Sequence, residues 1–102
     1  MGQFDVHEHA RGGRYSLLLD VQSELLSSLA TRVVVPLAMA KGFGAKPISR
    51  LNPTLKHGGV EYLIVVQELA AVPKSALGRR VMSLAERRAD IIAALDLLLT
   101  GV

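Results

Sequence analysis

The sequence predicts an α+β domain: an antiparallel sheet curling into a small barrel, with one long C-terminal helix packed on it. Three observations lead there. Five to seven short apolar runs are separated by glycines and prolines, the rhythm of a small sheet. Gly58-Gly59 stands between two of these runs as a two-residue turn suited to positive φ. From Ser83 onward the period changes, and Leu84, Ile91, Ile92, Leu95, Leu98 and Leu99 recur at three- and four-residue steps. Strands first and a helix last is an α+β order.

The 102 residues suffice for one domain, 1–102, with a modest core. Half of them are apolar and 21% are charged, which marks a folded chain and not a disordered one. No cysteine is present, so disulfides and thiolate-bound metals are excluded, in keeping with a reducing, cytoplasmic location. The start lacks the basic segment and apolar core of a secretory leader. No apolar run approaches the roughly 20 residues that span a bilayer, so no membrane partner is expected. The net charge of +3 suits nucleic acid or an acidic protein segment. Against direct nucleic-acid binding, only Phe4, Tyr15, Phe43 and Tyr62 are aromatic, which leaves little to stack bases on.

In chain order, Gln3 to Glu8 alternates as a strand, with Phe4 and Val6 on one face. His9 to Arg14 is a loop turning at Gly12-Gly13. Tyr15 to Gln22 is a buried strand in which Asp20 is expected on the polar side. Ser23 to Thr31 is a connection whose Leu25 and Leu26 are expected to tuck into the core, or else to form a surface patch. Arg32 to Ala38 is the strongest strand, and its three valines argue for burial on both faces. Pro36 within it predicts an edge position or a bulge. After a loop over Met39 to Pro47, Leu51–His57 and Val60–Glu68 form a hairpin, and Ala71-Val72-Pro73 a further short strand. Gly78-Arg79-Arg80-Val81 leads into the helix. Ser83-Leu84-Ala85-Glu86 fits a capping box, and Gly101 stands where a C-terminal cap belongs. Arg87 and Arg88 early, and Asp96 late, oppose the helix dipole. The helix is either simply docked on the sheet, or its tip is offered to a partner.

No phosphate loop or nucleophile elbow appears, and no spacing nominates a catalytic triad. His7 and His9 share a strand face, with His57 the only other histidine. Solvated strand histidines explain them better than a metal site, and no metal or cofactor is expected. One catalytic arrangement survives: a metal-independent ribonuclease site using Arg14, Thr31 or Ser28, and a histidine.

The motifs taken together resemble the CcdB family, toxins of bacterial toxin-antitoxin pairs that act on DNA gyrase. Gln3-Phe4-Asp5-Val6 matches the family's start. Asp20-Val21-Gln22-Ser23-Glu24-Leu25-Leu26 is close to its Val-Asp-Val-Gln-Ser-Asp signature. Thr31-Arg32-Val33-Val34-Val35-Pro36-Leu37, Leu51-Asn52-Pro53, Ala71-Val72-Pro73, Leu77-Gly78 and Ser83-Leu84 follow in order. The resemblance implies a strongly twisted antiparallel sheet of SH3-like barrel type, a smaller second sheet and a long C-terminal helix, related to the MazF-type toxin ribonucleases. It implies a homodimer that is not an enzyme and that enters the dimerisation domain of the DNA gyrase A subunit, trapping the enzyme on cleaved DNA. It also implies a CcdA-like antitoxin whose disordered segment competes for the toxin. DNA is met only indirectly, when the toxin-antitoxin complex binds its own operator and autoregulates transcription. A MazF-type sequence-specific endoribonuclease is the alternative.

Carried over position by position, the gyrase-binding residues are Leu25 and Leu26 after the second strand, and Asp96, Leu99, Thr100, Gly101 and Val102 on the helix. The best-known plasmid-borne form ends in Trp-Gly-Ile where this chain has Thr100-Gly101-Val102. Loss of an indole anchor is worth on the order of 2 kcal/mol or more, or about tenfold or more in affinity at about 1.4 kcal/mol per decade.

Overall fold

The computed structural model describes residues 2–13 and 15–101. Among them are seven strands: β1 (Asp5–His9), β2 (Leu17–Asp20), β3 (Thr31–Met39), β4 (Thr54–His57), β5 (Val60–Ile64), β6 (Ala70–Pro73) and β7 (Leu77–Ser83). One helix, α1, spans Arg88–Thr100. The strands run antiparallel in the order β4-β5-β3-β2-β1-β7, with β6 also pairing β3. The result is the curled sheet with a C-terminal helix that the sequence predicts. The expected smaller second sheet is not separate: the β4–β5 hairpin belongs to the same seven-stranded sheet, joined through the C-terminal half of β3. Gly58 and Gly59 take φ of 60° and 78° at its turn, the left-handed pair that such hairpins need.

Alternation decides the inner face. Val6, Leu19 and Val35 stand side by side in register and are buried. Leu37, Ile64 and Val66 extend this core, and α1 closes it with Ile91 and Ala94. No helix among the described residues is long and apolar enough to cross a membrane.

Pro36 is not at an edge. It lies in the sheet's middle strand, beside Leu18 of β2. On the other flank β6 pairs with Thr31–Val34 and β5 with Leu37–Met39, so Pro36 falls where the partner changes. Its missing N–H would have pointed into that gap, while its carbonyl accepts from the Val65 amide at 2.9 Å. The same change of partner ends β5 at Ile64, short of the predicted Glu68. A 3-10 turn at Val66–Glu68 steps the chain past the proline.

Two further boundaries differ from expectation. Leu77–Ser83 is a strand and not a lead-in. It was not legible because Arg79 and Arg80 break the apolar alternation; they pair with Glu8 at 3.3 Å and Asp5 at 3.1 Å, as charges on an edge strand do. The capping box is not formed. The Ser83 hydroxyl accepts from Ala85 and not Glu86, a 3-10 turn covers Ala85–Arg87, and the α-helix starts at Arg88. The early arginines escape the dipole conflict through local partners: Arg87 holds Asp90 at 3.0 Å and the Thr54 carbonyl at 2.9 Å. The Arg88 guanidinium lies 5.6 Å above the Phe4 ring. Phe4 itself takes φ of 70° and precedes β1, fastened by its amide to Asp20 and by its carbonyl to the Leu84 amide.

Candidate functional site

Asp20 does not face a polar side. It and Arg32 lie on the sheet face opposite Leu19 and Val35, and both are buried. The Arg32 guanidinium reaches Asp20 Oδ2 at 2.7 Å through a terminal nitrogen and at 2.9 Å through Nε. It continues to the Gln22 carbonyl at 3.4 Å and to Glu24 Oε1 at 3.0 Å. Burial alone would lower the Arg32 pKa, but the hydrogen bonds and charges of Asp20 and Glu24 outweigh it and raise the group above its ordinary value. Asp20 Oδ1 accepts from the Gln22 amide at 3.0 Å. The Gln22 side chain accepts from the Val33 amide at 3.0 Å and donates to the Leu26 carbonyl at 3.1 Å.

On this base sits a single 3-10 turn, Glu24–Leu26, capped by the Ser23 hydroxyl accepting from the Leu25 amide at 3.2 Å. Leu25 and Leu26 do not tuck into the core. Leu25 is 94% exposed and Leu26 49%. The turn therefore displays two apolar side chains on hydrogen-bonded backbone.

The tip of α1 is the second displayed element. Leu99 is 70% exposed. Gly101 closes the helix with φ of 77° and an amide bond to the Leu97 carbonyl at 3.0 Å. The Thr100 hydroxyl donates back to the Asp96 carbonyl at 2.8 Å. The Asp96 side chain is exposed and has no ion-pair partner among the described residues, so it does nothing for the helix that carries it. Val102 lies outside the described residues. The turn and the tip belong to different elements of one chain.

A third feature was not legible in the sequence. Tyr15, Phe43 and Tyr62, three of the four aromatics, converge on one open cleft of about 630 Å³ beside Lys41. The Tyr15 hydroxyl donates to Glu68 Oε2 at 2.9 Å across its wall. Scarcity of aromatics hid the cleft; their clustering depends on three separate segments.

The ribonuclease set is only partly placed. Ser28 and Thr31 are exposed around the start of β3, and Arg14 lies outside the described residues. His7 is not solvated: it is buried, with Nδ1 3.0 Å from the Gly78 carbonyl and Nε2 without a partner. His9 Nδ1 accepts from the Arg11 amide, and His57 sits exposed at the hairpin turn. Among the described residues no three histidine or carboxylate side chains converge as a metal site.

The family model described as CcdB protein matches residues 3–101. Among solved structures, the fold is similar to an endoribonuclease in complex with its cognate antitoxin from a mycobacterial species. That likeness has a TM-score of 0.76 at 16% identity, over 97% of this chain and 94% of that one. It is also similar to the Mycobacterium tuberculosis toxin MazF-mt6, with a TM-score of 0.68 at 14% identity, over 92% and 94%. At these identities the solved structures establish the fold.

Proposed function

The chain belongs to the CcdB family of toxin-antitoxin toxins, and on that premise we propose that it is a gyrase poison and not itself an enzyme. In this reading a homodimer enters the dimerisation domain of the gyrase A subunit, holding the enzyme on cleaved DNA. The supporting observation is the display of apolar side chains on ordered backbone at both carried-over positions: Leu25 and Leu26 on the bonded turn, Leu99 on the capped helix tip. Asp96, Thr100 and Gly101 join Leu99 there; Val102, outside the described residues, is carried over with them. Exposed leucines cost the isolated fold solubility and gain it no core, so a partner is the economical reason for them.

The second partner in this reading is a CcdA-like antitoxin. Such segments are disordered and acidic. The aromatic cleft with Lys41 at its side offers flat apolar surface and a cation to a segment of that kind. DNA is reached through the toxin-antitoxin complex, at its own operator.

The test is calorimetry of the purified protein against the dimerisation domain of its host's gyrase A subunit, beside a variant lacking Gly101 and Val102. One toxin dimer per domain dimer, lost in a variant that still folds, is the expected result. Absence of binding at micromolar concentration refutes the gyrase target. The likeness to an endoribonuclease supports one alternative, a MazF-type ribonuclease. It requires RNA cleavage that fails when Thr31 or Arg14 is replaced and that ignores the C-terminal tip.

A further inference from the structure

We propose that Arg32, Glu24 and Gln22 form a splint that holds the Leu25-Leu26 turn in its partner-binding shape, which makes them positioning residues and not merely parts of the fold. The inference rests on the reading of that turn as a gyrase contact.

Beyond its own backbone bonds and the Lys74 ammonium on the Ser27 carbonyl, the turn depends on the side chains beneath it. Leu25 and Leu26 bury too little to anchor it, and three residues of 3-10 helix have no intrinsic stability. Free in solution, such a segment would sample many conformations, and a partner would have to select one at a cost in affinity. The bonds beneath it remove that cost in advance. Arg32 reaches up from β3 to the Glu24 carboxylate at the front of the turn. The Gln22 amide bridges the Val33 amide of β3 to the Leu26 carbonyl at the back. Ser23 fixes the Leu25 amide between them. Front, middle and back are thus each tied, the two ends to the rigid central strand of the sheet.

A stabilising role does not account for the cluster as well. A buried ion pair gives little net stability relative to apolar side chains of the same size. What it does supply is a fixed direction, and the Arg32 fork has donors for both Asp20 below and Glu24 above. Asp20 seats the arginine; Glu24 is the half-exposed end that the seated arginine holds.

Glu24→Gln separates the two roles, because Arg32 keeps Asp20 while its hold on the turn weakens. In this variant the denaturation midpoint should stay at the wild-type value. The amides of Leu26 and Ser27, which close the turn onto Ser23 and Glu24, should exchange with solvent about tenfold faster by nuclear magnetic resonance. Binding to the dimerisation domain of the gyrase A subunit should weaken by about tenfold. Unchanged exchange at these two amides overturns the proposal. So does a binding loss of the same size when Glu24→Gln is placed in an Arg32→Lys background, since Glu24 would then touch the partner directly. If Arg32→Lys fails to fold, exchange in the single Glu24→Gln variant decides. If the wild type does not bind the gyrase domain at all, the target reading has failed, and the exchange measurement still judges the splint.

Discussion

Replacing Asp20 with alanine should remove much of this protein's stability margin. The Asp20 carboxylate is fully buried; it accepts hydrogen bonds from the Gln22 amide at 3.0 Å and from Arg32 Nε at 2.9 Å, and it ion-pairs with a terminal Arg32 nitrogen at 2.7 Å. Its loss leaves a guanidinium with 1% of its surface exposed, whose remaining charged partner is the half-exposed carboxylate of Glu24, beside a long bond to the Gln22 carbonyl. Breaking a buried pair from one side costs about 3–5 kcal/mol, because the remaining charge has no water to replace its partner. Domains of this size hold about 5–15 kcal/mol in total and lose about 4–8 °C of melting midpoint per kcal/mol. The expected fall is therefore roughly 12 to 40 °C. Thermal unfolding followed by circular dichroism, at one fixed protein concentration, reads this fall, and urea unfolding reads the free energy. A loss below about 1 kcal/mol, the worth of an exposed ion pair, would refute the reasoning by showing that water reaches the pair. A second arm replaces both partners, with Asp20→Leu and Arg32→Met together. That double variant should recover most of the loss. If it stays as unstable as Asp20→Ala, the cost lies in the Gln22 hydrogen bonds and not in the charge.

Ile91→Ala should cost about 2–5 kcal/mol, because Ile91 is fully buried where α1 meets the sheet; Leu99→Ala, at the exposed tip, should stay within about 0.5 kcal/mol. Equal losses in urea unfolding would mean that the tip is packed and not displayed. Arg32→Lys should lose ground to the wild type in alkali. A raised folded pKa contributes stability that is complete below the unfolded value and is lost only as pH rises through the folded one. For Arg32 that lies beyond the working range, whereas a lysine in its place begins to discharge near about pH 10.4. The gap between the two urea midpoints should widen from about pH 8 to about pH 11; a constant gap would show that charge at position 32 is immaterial.

The positions proposed to meet gyrase were only partly legible in the sequence. Leu25, Leu26 and Asp96 stand out in the sequence as residues in awkward places, and the structure shows why: two open leucines on a bonded turn, and a carboxylate with no ion-pair partner among the described residues, late in a helix. Their exposure was not legible. Apolar residues in a connection read as core-seeking, and only the seated arginine beneath Leu25 and Leu26 shows that the turn is held away from the core. Asp20 was misplaced for the related reason that alternation assigns a strand residue to a face without saying whether that face is wet. Here it is dry, because Arg32 arrives from the neighbouring strand.

What the sequence determined by itself is whatever depends on a few consecutive residues. The inner face of β1 follows from alternation, the β4–β5 turn from two glycines at positive φ, the helix end from Gly101, and the α+β class from strands preceding a helix. What only the tertiary structure decided depends on residues brought from afar. Tyr15 meets Glu68 across 53 positions, and Glu8 meets Arg79 across 71, which turns an arginine-rich segment into the strand β7. Asp20 meets Arg32 across 12. Local backbone preferences act within a turn or two of chain, whereas a charge is buried, a cleft assembled or a leucine left open only once distant segments have been packed together.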